Sequence, residues 1–140
     1  PKPGGDTEKL IASLGLGDVV ESFKGISHEE MVQKYASASV AVVPSIYEGF
    51  GLPAVEAMAC GVPLVSTDGG ALAEVVEDAG LVVPAGDSEA LAAAIRLLFE
   101  DDQLRDDYAS RGLSRAEQHF CWNRCAERMV AYYRKCIAAC

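Results

Sequence analysis

The chain has 140 residues, half of them apolar, and a formal net charge of −9 from 21 acidic and 12 basic side chains. That length suits one domain with a real core, and no apolar run approaches a membrane span or a signal-peptide core, so a soluble cytoplasmic chain is expected. No basic patch offsets the acidic balance, which argues against nucleic acid as a partner.

The start, Pro1-Lys2-Pro3-Gly4-Gly5, lacks a methionine and reads as the cut end of something longer. Thr7 to Leu14 carries helical spacing in Leu10, Ile11 and Leu14, and Gly15 and Gly17 punctuate its end. Val19 to Lys24 predicts a first strand, closed by Gly25. Ser27-His28-Glu29-Glu30 is a capping box, in which the Ser27 hydroxyl accepts from the Glu30 N–H and the Glu30 carboxylate reaches back. The helix it opens carries Met31, Val32, Tyr35 and Ala36 on one side. Val40 to Pro44 predicts a second strand, and its unbroken apolar run suits burial on both faces.

After a glycine-bearing loop, Pro53 near the start and Gly61 beyond the end bracket a helix. Pro63 to Thr67 predicts a third strand, Asp68-Gly69-Gly70 a turn, and a short helix runs through Val76. Gly80 to Val83 predicts a fourth strand. Asp87 caps the next helix, Glu89 to Phe99, with Leu91, Ile95, Leu98 and Phe99 as its apolar stripe. Gln103 to Tyr108 and Cys121 to Ala139 are expected to be helical, and Glu100-Asp101-Asp102 and Asp106-Asp107 read as solvated faces.

Strands alternating with helices at this spacing predict an α/β fold, a parallel sheet of about four strands with helices on both faces. Ligands of such sheets collect at the carboxyl ends of the strands, where Gly25-Ile26-Ser27, Ser45 to Leu52 and Asp68-Gly69-Gly70 all fall. The five cysteines, Cys60, Cys121, Cys125, Cys136 and Cys140, are odd in number, which argues against a disulfide framework. The pairs Cys121/Cys125 and Cys136/Cys140 have one-face helical spacing. They read as small buried hydrophobes, with a metal site as the less favoured alternative.

The stretch Ser45 to Pro63 carries the most information. A strand feeding a glycine loop and then a helix start gathers backbone N–H groups that favour anions. Gly49-Phe50-Gly51 lets a backbone approach a ligand closely, or simply makes a tight turn, and the residues alone leave both readings open. Glu48 sits at the mouth of the loop and Glu56 in the first turns of the helix. Each is explained by solvent exposure or the helix dipole, or by accepting sugar or ribose hydroxyls. A further reading takes Gly49, Gly51 and Ala54 as a dinucleotide fingerprint, with Asp68 as the ribose acid of an NAD-type module. A third is a non-catalytic association module.

Ala38 to Ser45, Glu48-Gly49-Phe50-Gly51-Leu52-Pro53 and Glu56 to Pro63 resemble the donor-binding domain of retaining glycosyltransferases of the GT-B fold, the glycosyltransferase group 1 family. Its mark, two glutamates with seven residues between them, is matched by Glu48 and Glu56. Gly69-Gly70-x-x-x-Glu74-Val75-Val76, Gly80 to Asp87 and Phe120-x-Trp122 agree in order. The resemblance implies a partial, Rossmann-like C-terminal domain over residues 1–140 that binds a nucleotide diphosphate sugar. Glu48 would be the catalytic residue by the donor sugar, and Gly49, Phe50, Gly51 and Leu52 would contact the donor. Glu56 would hold the ribose hydroxyls, and Gly25, Ile26 and Ser27 would lie on the nucleobase side. Configuration would be retained, with no cofactor and no obligatory metal.

The acceptor domain and the first two βα units, with the Arg and Lys that neutralise the diphosphate, have no counterpart in the sequence. Those strands normally lie between Val19–Lys24 and Val40–Val43. A donor-binding half with little activity of its own is therefore expected. Self-association through the sheet edge or terminal helix, or folding back of that helix, should cover what is left open.

Overall fold

The computed structural model describes residues 5–139, so Cys140 and its pairing with Cys136 lie outside the described residues. The chain divides into two units, one up to Met31 and one from Val32 onward.

In the first unit, α1 spans Asp6–Ser13. Its end is a Schellman turn. Gly15, at φ +67°, donates to the Ala12 carbonyl at 3.1 Å, and Leu16 donates to that of Ile11 at 3.0 Å. The segment Val19 to Lys24, expected as a strand, forms none. Val19 and Val20 are exposed there, so the segment has residues of strand type without the burial that a central strand has. The capping box forms as expected: the Glu30 N–H donates to Ser27 Oγ at 3.2 Å, and the Ser27 N–H to Glu30 Oε2 at 2.7 Å. It opens α2, His28–Ser37.

The second unit holds a three-stranded parallel sheet in the order β1 (Ala41–Val43), β2 (Leu64–Thr67) and β3 (Leu81–Val83). Ala41 pairs with Leu64 and Val65 with Leu81. The sheet therefore has three strands rather than about four, Val19–Lys24 being the one that is missing. Helix α3 (Leu52–Ala59) joins β1 to β2, and α4 (Leu72–Val76) joins β2 to β3. Then follow α5 (Ser88–Glu100), α6 (Asp102–Arg115), a π-helical turn (Ala116–Phe120) and α7 (Trp122–Ala138). The α6 helix extends well past the expected Tyr108, and Asp101 caps it by accepting from the Leu104 N–H at 2.9 Å.

All four residues of β2 are buried, so helices cover the sheet on both faces at its centre. The second strand was expected to be buried on both faces too. Instead β1 is an edge, with Ala41 and Val43 inside and Val42 38% exposed. Ala54, Ala57, Met58, Leu64, Leu72 and Val76 form the core, each fully buried. Small residues on α3 let it seat closely on β1 and β2. Gly112 of α6 is equally constrained, since a Cβ there would lie 3.2 Å from Met58 Cγ. Asp87 caps α5 as expected, accepting from Ala90 N–H at 2.9 Å, but of the expected stripe Phe99 is exposed.

Candidate functional site

The loop between β1 and α3 leaves the carboxyl end of the sheet and turns at Gly51, which sits at φ +97° as the N-cap of α3. That left-handed value favours glycine, and a Cβ there would come 2.9 Å from Leu72 Cδ2. The Gly51 carbonyl then accepts from the Ala54 and Val55 N–H groups at 3.0 and 3.1 Å, opening the helix. Pro53, which has no N–H to lose, falls in the first turn.

Among the described residues, no group accepts the backbone N–H of Gly49, Phe50 or Gly51. Three consecutive free donors next to a helix N-terminus favour an anion. Gly49 and Phe50 are solvent-exposed, so their two donors can be reached, whereas Gly51 is buried.

A second loop holds this one from below. Gly69 packs under Ser45 and Ile46, and a Cβ on it would lie 2.7 Å from the Ile46 carbonyl oxygen. A Cβ on Gly70 would fall on the Glu48 carbonyl. The Ala71 N–H donates to that same carbonyl at 3.0 Å, and Thr67 Oγ1 donates to the Ser45 carbonyl. The two glycines thus let Asp68-Gly69-Gly70 press against Ser45 to Glu48, which fixes the backbone bearing Glu48. The half-buried Glu48 carboxylate accepts from Ser45 Oγ at 3.5 Å.

Glu56 lies on the exposed side of α3. Tyr35 of α2 donates its hydroxyl to Glu56 Oε2 at 3.3 Å, and lies 3.4 Å from the Pro53 carbonyl. Burial first, then the Glu56 charge, pushes the Tyr35 phenol up from its ordinary range, so it stays a neutral donor. The same two causes raise the Cys60 thiol one turn further on. Tyr35 was read from the sequence only as part of an apolar face. Yet a half-buried phenol normally finds an acceptor, and that was the available signal.

Two hollows flank the loop. One of about 440 Å³ is lined by Gly49, Phe50, Glu74, Phe120 and Arg128 among others, and one of about 220 Å³ by Pro44, Ile46, Thr67 and Asp87 among others. Asp68 accepts the Ala85 N–H on Oδ1 at 2.8 Å and so ties the loop after β3 to the end of β2. That structural task, and the distance in sequence from Val43 to Gly49, weigh against the dinucleotide fingerprint. Gly25, Ile26 and Ser27 belong to the first unit; Gly25 takes φ +64° and Ser27 caps α2. No cluster of three or more potential metal ligands occurs among the described residues. Nor is any helix of the described residues long and apolar enough to cross a membrane.

Residues 5–115 match the family described as glycosyl transferases group 1. The chain is 49% identical over 141 residues to an MMP alpha-(1->4)-mannosyltransferase of Mycolicibacterium hassiacum, covering 98% of this chain and 34% of that protein. Among solved structures it is similar to a sucrose-phosphate synthase from Thermosynechococcus elongatus, with a TM-score of 0.85 and 39% identity over 96% of this chain and 34% of that one. It is also similar to HepE of Anabaena, solved in complex with UDP-glucose, with a TM-score of 0.83 and 28% identity over 92% of this chain and 36% of that one. The chain spans about a third of the length of these relatives.

Proposed function

Because the chain belongs to the glycosyl transferases group 1 family, we propose that it forms the donor-binding part of a retaining glycosyltransferase. The substrate class is a nucleotide diphosphate sugar, and the sugar passes to an acceptor hydroxyl. The observation that carries this reading is the row of free N–H donors from Gly49 to Gly51, set between Glu48 and Glu56. A diphosphate is an anion of the right size for such a row, and each carboxylate beside it accepts hydroxyl groups.

Each residue then takes a distinct task. The Gly49, Phe50 and Gly51 amides hold diphosphate oxygens, with the α3 N-terminus adding its dipole and Leu52 closing the turn. Glu56, oriented by Tyr35, accepts the ribose hydroxyls. Glu48 faces the donor sugar and acts in the transfer step. No metal or cofactor is assigned to the reaction. The bound structure of HepE with UDP-glucose supports the ligand class by family likeness.

The leaving diphosphate still needs cationic partners, and the Arg and Lys expected for that task have no match in this sequence. The chain by itself is therefore proposed to bind donor weakly and to transfer negligibly. Titration with UDP-, GDP- and ADP-sugars beside NAD, followed by amide shifts, tests the assignment. Shifts at Gly49 to Gly51 with a nucleotide sugar are expected. Glu56→Ala should weaken nucleotide and nucleotide sugar alike by roughly 1–3 kcal/mol, whereas Glu48→Ala should leave nucleotide affinity nearly intact. A response to NAD alone, centred on Asp68, would overturn the proposal.

A further inference from the structure

Helix α4 has five residues, yet it carries much of what fixes Glu48. At its amino end the Ala71 N–H holds the Glu48 carbonyl, and the Leu72 side chain lies against Gly51. A helix this short cannot hold itself, and its last carbonyls need partners. Its carboxyl end is also awkward, because Glu77 takes φ +47°, a left-handed value that L-residues avoid.

Arg115 meets both needs. Its Nε donates to the Val75 carbonyl at 2.6 Å, Nη2 to that of Glu74 at 2.7 Å, and Nη1 to the Glu77 carboxylate at 2.8 Å. The Arg115 side chain is only 13% exposed. The rigid fork of a guanidinium can reach three acceptors at once, which an ammonium cannot do in the same geometry.

Arg115 is also the last residue of α6, where the chain widens into the π turn Ala116–Phe120. Such turns are rare and recur at functional sites, because the wider turn moves the following side chains out of α-helical register. Here it delivers Phe120 to the glycine loop. The Phe120 ring meets Phe50 edge to face, with centroids 6.0 Å apart and planes at 87°. The Arg115 guanidinium lies 5.8 Å over the same Phe120 ring.

We propose that Arg115 and Phe120 are positioning residues for the donor loop. Arg115 acts through α4 on the Glu48 carbonyl, and Phe120 acts through Phe50, two residues past Glu48. Both also line the hollow beside Gly49 and Phe50, but the role assigned to them is to hold the loop. The consequence for donor binding rests on the function proposed above, whereas the mechanical link does not.

Amide hydrogen exchange on the whole chain tests the link. Arg115→Ala should speed exchange at Ala71 by about tenfold or more, while Val65 in β2 keeps its rate. Arg115→Lys should recover part of the protection, since an ammonium can replace one of the three bonds. Exchange rising at Ala71 and Val65 together, with a lower urea midpoint, would mean a general loss of stability and overturn the proposal. So would an unchanged Ala71.

Phe120→Leu, with Phe50→Leu as a second variant should the first fail to fold, tests the aromatic arm. Either should weaken the UDP-glucose or GDP-mannose response at Gly49 to Gly51 by about tenfold. Undiminished affinity in a folded variant would remove Phe120 from the proposal. If the unaltered chain responds to no nucleotide sugar, the donor-site assignment fails, and the exchange rates still decide the link.

Discussion

Helices α3 and α7 are both rich in apolar residues, yet they have opposite surroundings. In α3, Ala54, Ala57 and Met58 are fully buried against β1, β2 and the flanking helices. In α7 no residue is buried, although Met129, Val130, Tyr132, Tyr133 and Ile137 share one side of the helix. Both sequences encode a helix with an apolar face; only α3 has a complementary surface among the described residues. The difference matters for the site, because α3 carries the glycine loop at its amino end. Small side chains on α3 bring the backbone close to the sheet, so the position of the loop is set by a packed core rather than by its own turns.

The largest expected effect breaks the α3 side of that comparison. Met58→Ala removes a wholly buried side chain between α3 and Gly112 of α6, where the surroundings have little room to collapse. The expected loss is about 4 kcal/mol, in the upper part of the range for such truncations, and urea unfolding measures it. A loss below about 1 kcal/mol would mean that α3 is not held as tightly as the packing implies.

A smaller effect sharpens the comparison through pH. On the α3 side, burial and then the Glu56 charge raise both Tyr35 and Cys60 above their ordinary values of 10.0 and 9.0. The folded chain therefore keeps these protons when the unfolded chain has lost them. Stability from this source is complete below about pH 9 and falls as pH climbs through the folded-state values, because the folded state then binds more protons than the unfolded one. Urea midpoints should drop between neutral pH and about pH 10.5, and the Tyr35→Phe/Cys60→Ala double variant should flatten that drop. An equally steep fall in the double variant would place the titrating groups elsewhere.

Most of the elements that surround the site were legible in the sequence because their signals are local. Ser27 with Glu30, Asp87 before α5, and Pro53 with Gly61 around α3 each depend on residues within a turn or two. The unmatched reading, a strand at Val19 to Lys24, had the right residue types. A strand also requires a neighbour, and nothing within those six residues encodes one. Burial of β1 on both faces failed for a like reason, since Val42 reads as core only if another element covers its face of the sheet, and nothing in the run encodes one. In the candidate site, the glycine loop and its carboxylates were visible as a motif. Tyr35 beside Glu56, and Arg115 at the end of α4, join positions 21 and 40 or more residues apart, a separation that no periodicity records.

The smallest expected effect lies on α7. Tyr133→Ser and Ile137→Ser replace exposed side chains that support no described core, so each should shift folding stability by no more than about 0.5 kcal/mol. Their consequence is in association. We propose that the unaltered chain self-associates at micromolar concentration, through this apolar face or through the edge of β1, which among the described residues pairs only with β2. Light scattering separates the two routes. If the α7 face is the contact, the double variant becomes monomeric while its urea midpoint stays in place. If the β1 edge is the contact, the variant still associates, and Val42→Lys, which charges an exposed position on that edge, disperses it instead. A monomeric unaltered chain would show that α7 tolerates its exposed face in water, and the contrast with α3 would then be one of packing alone.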